Sequence, residues 1–382
     1  MKKMFRLFLA ALLAAAVALP SVCGSLAEDG EEWIFIKNGE TYTIDLYGDN
    51  WVSYSVTGKV EPDAVPSPTQ TADDYEYLES RGGSVIIVDY HGQFKPVSAP
   101  QTLEGKPVLH ILNSAYSSLL RTSGDFQYYP LSSTEGELAG YSGSARILTL
   151  PQQLDGLTMV GVGDNAFSWN QQAEVIEIPG SYRYIGEHAF YYSAQYYVLH
   201  EGLEDIGDYA FSACAQGKMG LPQSLRHIGK NPFCKDVNVL GSTPILWFLD
   251  TAGENPFFAS GGGMLYSKED QRLISYYGGD QGSEIVIPEG IRTIGEWAFA
   301  VMPGVETVTL PDSVERIEDG AFMFCENLRE INLPDSLAFI NASAFMNCLH
   351  LTCVVSPGSY AEEYCLENEM AYRFPDEPPA AE

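Results

Sequence analysis

From Val162 onward the chain repeats one arrangement of apolar and polar positions. Phe167, Phe190, Phe211, Phe233, Phe299, Phe322 and Phe345 each close an apolar turn, at gaps of 23, 21, 22, 66, 23 and 23 residues. The long gap is three times 22. Five residues before each Phe stands Ile185, Ile206, Ile228, Ile294, Ile317 or Ile340, with Val162 in the first unit. In most units a Pro stands eleven residues before the Phe, Pro179, Pro222, Pro288, Pro311 or Pro334, with His200 in its place in one unit and Gly156 in the first. Fixed-period self-similarity of this length is the signature of stacked repeats.

One unit shows what the pattern builds. In Leu328-Arg-Glu-Ile331-Asn-Leu333 the last apolar positions alternate with polar ones, the period of a short strand. Pro334 has no N–H for a ladder and ends it. Asp335-Ser336 turns the chain, Leu337 and Ile340 point inward, and Asn341–Asn347 has room for one helical turn that places Phe345 in the core. A single unit cannot cover its own apolar face, so the units must stack as a parallel solenoid with strands about 4.8 Å apart.

The phrases "IPEGIRTIGEWAF" and "LPDSVERIEDGAFMFCENLREINLP" resemble the BspA-like bacterial leucine-rich repeats, a family of exported and cell-surface proteins. The resemblance runs from about residue 126 and implies a leucine-rich-repeat solenoid of short parallel β-strands with short helical turns or loops. It also implies that the long gap holds an inserted β-hairpin, about residues 255–283. Within it, Met264–Ser267 and Arg272–Tyr276 read as two strands around Lys268–Gln271. The function implied is adhesion to an extracellular protein or glycan.

The flanks are read from pattern and composition. Residues 75–125 align with the block that follows at a constant offset of 51: Tyr77 with Tyr128, Tyr90 with Tyr141, Gly92 with Gly143, Gly105 with Gly156 and Tyr116 with Phe167. They read as a degenerate first part of a solenoid spanning 75–372. Residues 28–60 predict three short strands within Trp33–Lys59, either a small β module or part of a cap, and 61–74 is a linker by composition. Residues 356–374 predict a C-terminal cap: a short helix carrying Tyr360, Tyr364 and Cys365, then a strand at Ala371–Phe374. A Pro-rich tail, 375–382, follows.

Length alone, 382 residues, would predict two or three domains, and the repeat accounts for most of it. Lys2, Lys3 and Arg6 followed by the apolar run Leu7–Leu19 predict a secretory leader over 1–27, cleaved after Gly24 or Ala27. Cys23 raises a lipid anchor, but Pro20-Ser21-Val22 departs from what bacterial lipoproteins carry before that cysteine. No second apolar span is long enough for a membrane helix. Loss of the three leader cations would take the net charge from −30 to about −33. That balance argues against nucleic acid and anionic membrane surfaces as partners, which need basic patches. Cys214, Cys325 and Cys348 share one repeat slot and read as buried thiols, with a Cys325–Cys348 bridge left open.

Candidate chemistry is sparse. His91, His110, His188, His200, His227 and His350 fall in different units with no paired-ligand spacing, so no metal or cofactor is expected. "GYSGS" at Gly140–Ser144 is not a nucleophile elbow, Gly261–Gly263 precedes no phosphate-loop Lys, and no catalytic constellation stands out. What remains is surface. The residues between apolar strand positions should face the concave sheet: Ile147 and Thr149, Val175 and Glu177, Tyr196 and Val198, Lys218 and Gly220. After the insert come Glu284 and Val286, Thr307 and Thr309, Glu330 and Asn332, Cys353 and Val355. A tyrosine cluster adds Tyr191 and Tyr192 on the convex turns, beside Trp169 and Trp297. The plainer readings are strand propensity and a locally aromatic core; the functional one is a binding surface. The expectation is a non-enzymatic recognition protein, the alternative a structural scaffold that holds the N-terminal module away from the cell.

Overall fold

The computed structural model describes residues 31–37, 40–47, 51–56, 67–112, 114–194, 196–214, 216–234, 246–251, 255–278 and 282–376. The leader with Cys23, residues 61–66 of the linker and the end of the tail lie outside these residues, and Gln70–Ala72, read as linker by composition, is a strand. The chain divides into two compact units, Met1–Leu120 with Pro130–Ser132, and Arg121–Tyr129 with Ser133–Glu382.

In the first unit, Glu31–Lys37, Glu40–Tyr47 and Trp51–Val56 form an antiparallel sheet. A five-stranded sheet runs Gln70–Ala72, Tyr75–Glu79, Val85–Tyr90, Lys106–Ile111 and Thr102–Leu103 in spatial order. Phe35, Tyr42 and Ile44 share one core with Leu78, Ile86, Val88 and Leu112, so the two sheets bury each other's apolar faces.

The second unit is the parallel solenoid that the repeat demands. Each turn contributes two short strands to two ladders. In the first ladder Ile147–Thr149 pairs with Val175–Ile178, which pairs with Tyr196–Leu199. Further on, Glu284–Val286, Thr307–Thr309, Glu330–Asn332, Thr352–Val354 and Ala371–Arg373 follow one another in the same parallel way. The second ladder is built from the Ile positions, through Tyr184–Ile185, Asp205–Ile206 and His227–Ile228. Between the ladders the Phe rings stack at 5.3 Å from Phe167 to Phe190 and again to Phe211, and at 5.0 and 5.4 Å from Phe299 through Phe322 to Phe345.

Where a helical turn was expected before each Phe, the chain makes consecutive turns instead. The N–H groups of Asn165, Phe167 and Trp169 donate to Glu187, Ala189 and Tyr191 of the next rung, while Ala166, Ser168 and Asn170 donate back to residues 163, 165 and 167. A helix would keep all its bonds internal and leave the neighbouring rung's carbonyls unpaired. The alternation requires left-handed residues four apart. Asn165 and Trp169 have φ of 58° and 63°, His188 and Tyr192 both 50°, and Trp297 and Val301 both 57°.

The inserted hairpin has the expected strands, Met264–Ser267 and Arg272–Tyr276, with a third, Phe258–Gly261, on its outer side. Arg272–Tyr276 also joins the second ladder by pairing in parallel with Thr293–Ile294, and Tyr276 stacks on Phe299 at 4.9 Å in the slot of a repeat Phe. The cap is the helix Tyr360–Glu367, capped by the Ser359 side chain, and the strand Ala371–Arg373.

One face assignment is reversed. Cys353 and Val355 do not point outward: they are 0% and 1% exposed. Asn332 pairs with Val354, 22 residues on, whereas Pro334 and Pro357 are 23 apart, so the last unit carries one extra residue between strand and Pro. Counting back from the Pro slips the register by one and exchanges the faces.

Candidate functional site

On the first ladder the alternation separates two sets of side chains. Leu148, Ile176, Ile178, Tyr197, Ile285, Val308 and Ile331 are buried. Facing outward are Ile147 at 73% exposure, Val286 at 66%, and Tyr196 and Val198 at 44% each. Thr149, Glu284 and Thr309 are exposed beside them, and Val175, Glu177 and Thr307 are half-buried. Strand propensity accounts for the presence of Ile, Val and Tyr at these positions, and their shared exposure on the outward face is what a binding surface could use. The side chain of Lys218 lies outside the described residues.

Polar residues of this face are partly tied to one another. Thr149 donates to Glu177 at 2.8 Å and the Glu177 carboxylate meets the His200 ring at 2.8 Å, a chain across three rungs. Those hydrogen bonds, from Thr149 and then His200, hold the Glu177 carboxyl below its usual range. Glu330 pairs with Arg373 of the cap strand at 2.9 Å. Asn332 donates to Leu310 O at 2.8 Å and accepts from Leu310 N at 2.7 Å. Glu330 and Asn332 therefore serve the fold of the C-terminal rungs, which sequence spacing does not reveal.

The turn side carries the aromatic cluster. Trp169 is 62% exposed and meets Tyr192 at 4.7 Å and Tyr191 at 5.5 Å between ring centroids. His188 extends the group, edge-on to Tyr191 and stacked on Tyr209 at 5.2 Å. Tyr182 and Tyr197, by contrast, are core, and burial raises both phenols far above their usual range. The tyrosine-rich segment thus divides into a core part and a surface part.

The cysteines are thiols with a shared role. Cys214, Cys325 and Cys348 donate to the carbonyls of Phe190, Phe299 and Phe322, at 3.2, 3.0 and 3.0 Å. All six described cysteines are free, so Cys325 and Cys348 are not bridged. Burial pushes the Cys214 thiol up to about 11, which makes it inert.

Two polar clusters lie elsewhere. A cavity of about 250 Å³ opens between His227–Ile228 and the inserted hairpin, lined by Arg226, Lys230, Arg272, Glu269 and Asp270 among others. Lys230 and Arg272 are already paired with Glu296 and Glu318, at 2.9 and 2.8 Å. In the first unit, Glu76, Asp89 and His91 bring one ligand-type atom each within 4.8 Å of the others. The sequence hid this group because its members meet across strands rather than at a motif spacing. No described helix is long and apolar enough to cross a membrane.

Comparison with known proteins places the repeat. Residues 160–246 and 275–371 match the BspA type leucine rich repeat region in six copies. These residues belong to that family. The two matched stretches flank most of the inserted segment. Among solved structures, the pneumococcal vaccine antigen PcpA is 17% identical, covering 62% of this chain and 81% of its own, at a TM-score of 0.39. A leucine-rich repeat protein of T. pallidum is 24% identical over 66% of this chain and 97% of its own, at a TM-score of 0.36. One from Bacteroides ovatus is 16% identical over 62% and 71%, at 0.37. No curated protein matches the chain. Such repeats build surfaces for protein interaction, and families of this kind are typically non-enzymatic.

Proposed function

We propose that this protein is a non-enzymatic recognition protein of the cell surface or exterior, holding an extracellular protein or glycan on the outward face of its first strand ladder. The observation that carries the reading is the apolar side chains left exposed on the outward strand face: Ile147, Tyr196 and Val198 on the sheet Ile147–Thr149, Val175–Ile178, Tyr196–Leu199, and Val286 on the later sheet that begins at Glu284. Glu177, Thr149 and Thr309 supply polar contacts beside it. A rigid ladder presents such groups without ordering cost at binding, which favours affinity from modest area. Tyr191, Tyr192 and Trp169 form a second, smaller platform, since stacked aromatic rings offer contact area with little rotamer entropy. Export would follow from the leader at residues 1–27.

The test is binding of the purified full chain to immobilised matrix proteins, mucins and glycans at low and at physiological salt. Saturable binding at physiological salt is expected. Binding that disappears with modest salt would reduce the interaction to the charge of a very acidic chain. Silence across the panel would favour the scaffold role, in which the repeats only carry the first unit.

A further inference from the structure

We propose that Glu76, Asp89 and His91 form a divalent-cation site on the first unit, taking a borderline metal such as Zn²⁺. The donor set is mixed: two carboxylates and an imidazole, the ligand types that first-row divalent ions accept, within 4.8 Å of one another. Glu76 and Asp89 stand directly opposite on neighbouring antiparallel strands. Like charges in that position repel, so the pairing calls for positive charge, of which Lys37 supplies a part through Asp89. The His91 imidazole lies 3.4 Å from the Glu76 carboxylate and is 55% exposed, which leaves the cluster open to solvent. Its backbone N–H donates to Asp74 O at 2.8 Å and fixes the base of the side chain.

The internal duplication supplies an independent comparison. At the offset of 51, Tyr77, Tyr90, Gly92 and Gly105 recur as Tyr128, Tyr141, Gly143 and Gly156, whereas Glu76, Asp89 and His91 become Gln127, Gly140 and Ser142. The second copy builds the same strands, Phe126–Pro130 and Glu135–Tyr141 for Tyr75–Glu79 and Val85–Tyr90. It even keeps the same tyrosine anchor: Tyr77 donates to Glu104 at 2.9 Å, and Tyr128 to Asp155 at 2.8 Å. A Cβ at Gly140 would meet the Gln127 side chain at 2.8 Å, so that cross-strand pair is also in place. The strand frame therefore forms without the three ligand-type residues, and they are together only in the copy where they meet.

Lys37 sets the strength of the site. Its ammonium is buried and donates to Asp89 Oδ1 and Ser114 O, both at 2.6 Å. A carboxylate has lone pairs to spare after that bond, so Asp89 can serve Lys37 and a metal together. Lys37 offsets one of the two negative charges, and the metal meets the other.

The test is isothermal titration of the full chain with Zn²⁺, together with the visible absorption of Co²⁺ as a probe of nitrogen and oxygen ligation. One site per chain is expected. His91→Ala and Glu76→Gln should each weaken it about 10- to 100-fold, with the far-ultraviolet spectrum unchanged, since His91 is exposed and the second copy folds with Gln at the equivalent place. Lys37→Met, checked for folding in the same way, should tighten it. Absence of saturable binding, or binding that survives His91→Ala and Glu76→Gln, overturns the proposal and leaves the cluster as an ion-pair network.

Discussion

Single residues in this chain are chosen for the rung on either side of them. The thiols of Cys214, Cys325 and Cys348 reach the carbonyl of a neighbouring rung's Phe, so a small apolar residue with a weak donor suits the slot better than Ala. Stacking also has an electrostatic cost. Glu187 lies between Asp164 and Asp208 of the adjoining rungs, and partial burial followed by those two charges raises its carboxyl above the usual range. A raised carboxylate favours the protonated form, so its folded state binds more protons than the unfolded chain and gains stability as pH falls through that window. Glu187→Gln should therefore raise the melting temperature at neutral pH. The gain should shrink as pH drops through the carboxylate range, as read by thermal unfolding at several pH values.

Elements were legible where the period is strict. The Phe and Pro registers predict the first ladder, and the strand limits of the inserted hairpin follow from its turn at Lys268–Gln271. The second ladder is not predicted, because the Ile positions read only as inward-pointing residues. The 51-residue offset marks residues 75–125 as a copy of the block that follows, but their strands, Tyr75–Glu79, Val85–Tyr90 and Lys106–Ile111 among them, appear only in the structure. Features that depend on a neighbouring rung were not legible. The turn region took a helical expectation because seven residues suffice for a helical turn, but its N–H groups serve the next rung. Cys353 was assigned to the wrong face because the extra residue before Pro357 appears only through pairing. The ties that engage Glu330 and Asn332, and the meeting of Glu76, Asp89 and His91, are likewise products of register. Asn255 is another such residue. Its buried amide donates to the carbonyls of Pro222 and Leu225, at 2.9 and 3.1 Å, and accepts from the N–H groups of Phe257 and Phe258, at 2.8 and 2.9 Å. Asn255→Ala strands these groups and should cost about 3 kcal/mol, visible in denaturant unfolding, with faster amide exchange in the hairpin.

At the scale of the whole molecule, the proposed function sets recognition on the face of the strands opposite the buried one that holds the rungs together. Stacked Phe rings hold the rungs together, and Phe322→Ala should cost about 3–5 kcal/mol by leaving a cavity in a ring stack, measured by denaturant unfolding. The outward row should carry binding without carrying stability, since its side chains touch little of the core. Glu330 is a poor probe of that separation because its loss also releases Arg373 of the cap. Tyr196 and Val198 are better probes, because both are exposed on a strand whose alternate residue, Tyr197, is buried. The decisive measurement is the affinity of a Tyr196→Ala, Val198→Asp double variant for whichever partner the panel identifies, beside its melting temperature. The account predicts at least about a tenfold loss of affinity, 1.4 kcal/mol, with the melting temperature unchanged. Full binding by the double variant would contradict the assignment of recognition to this face.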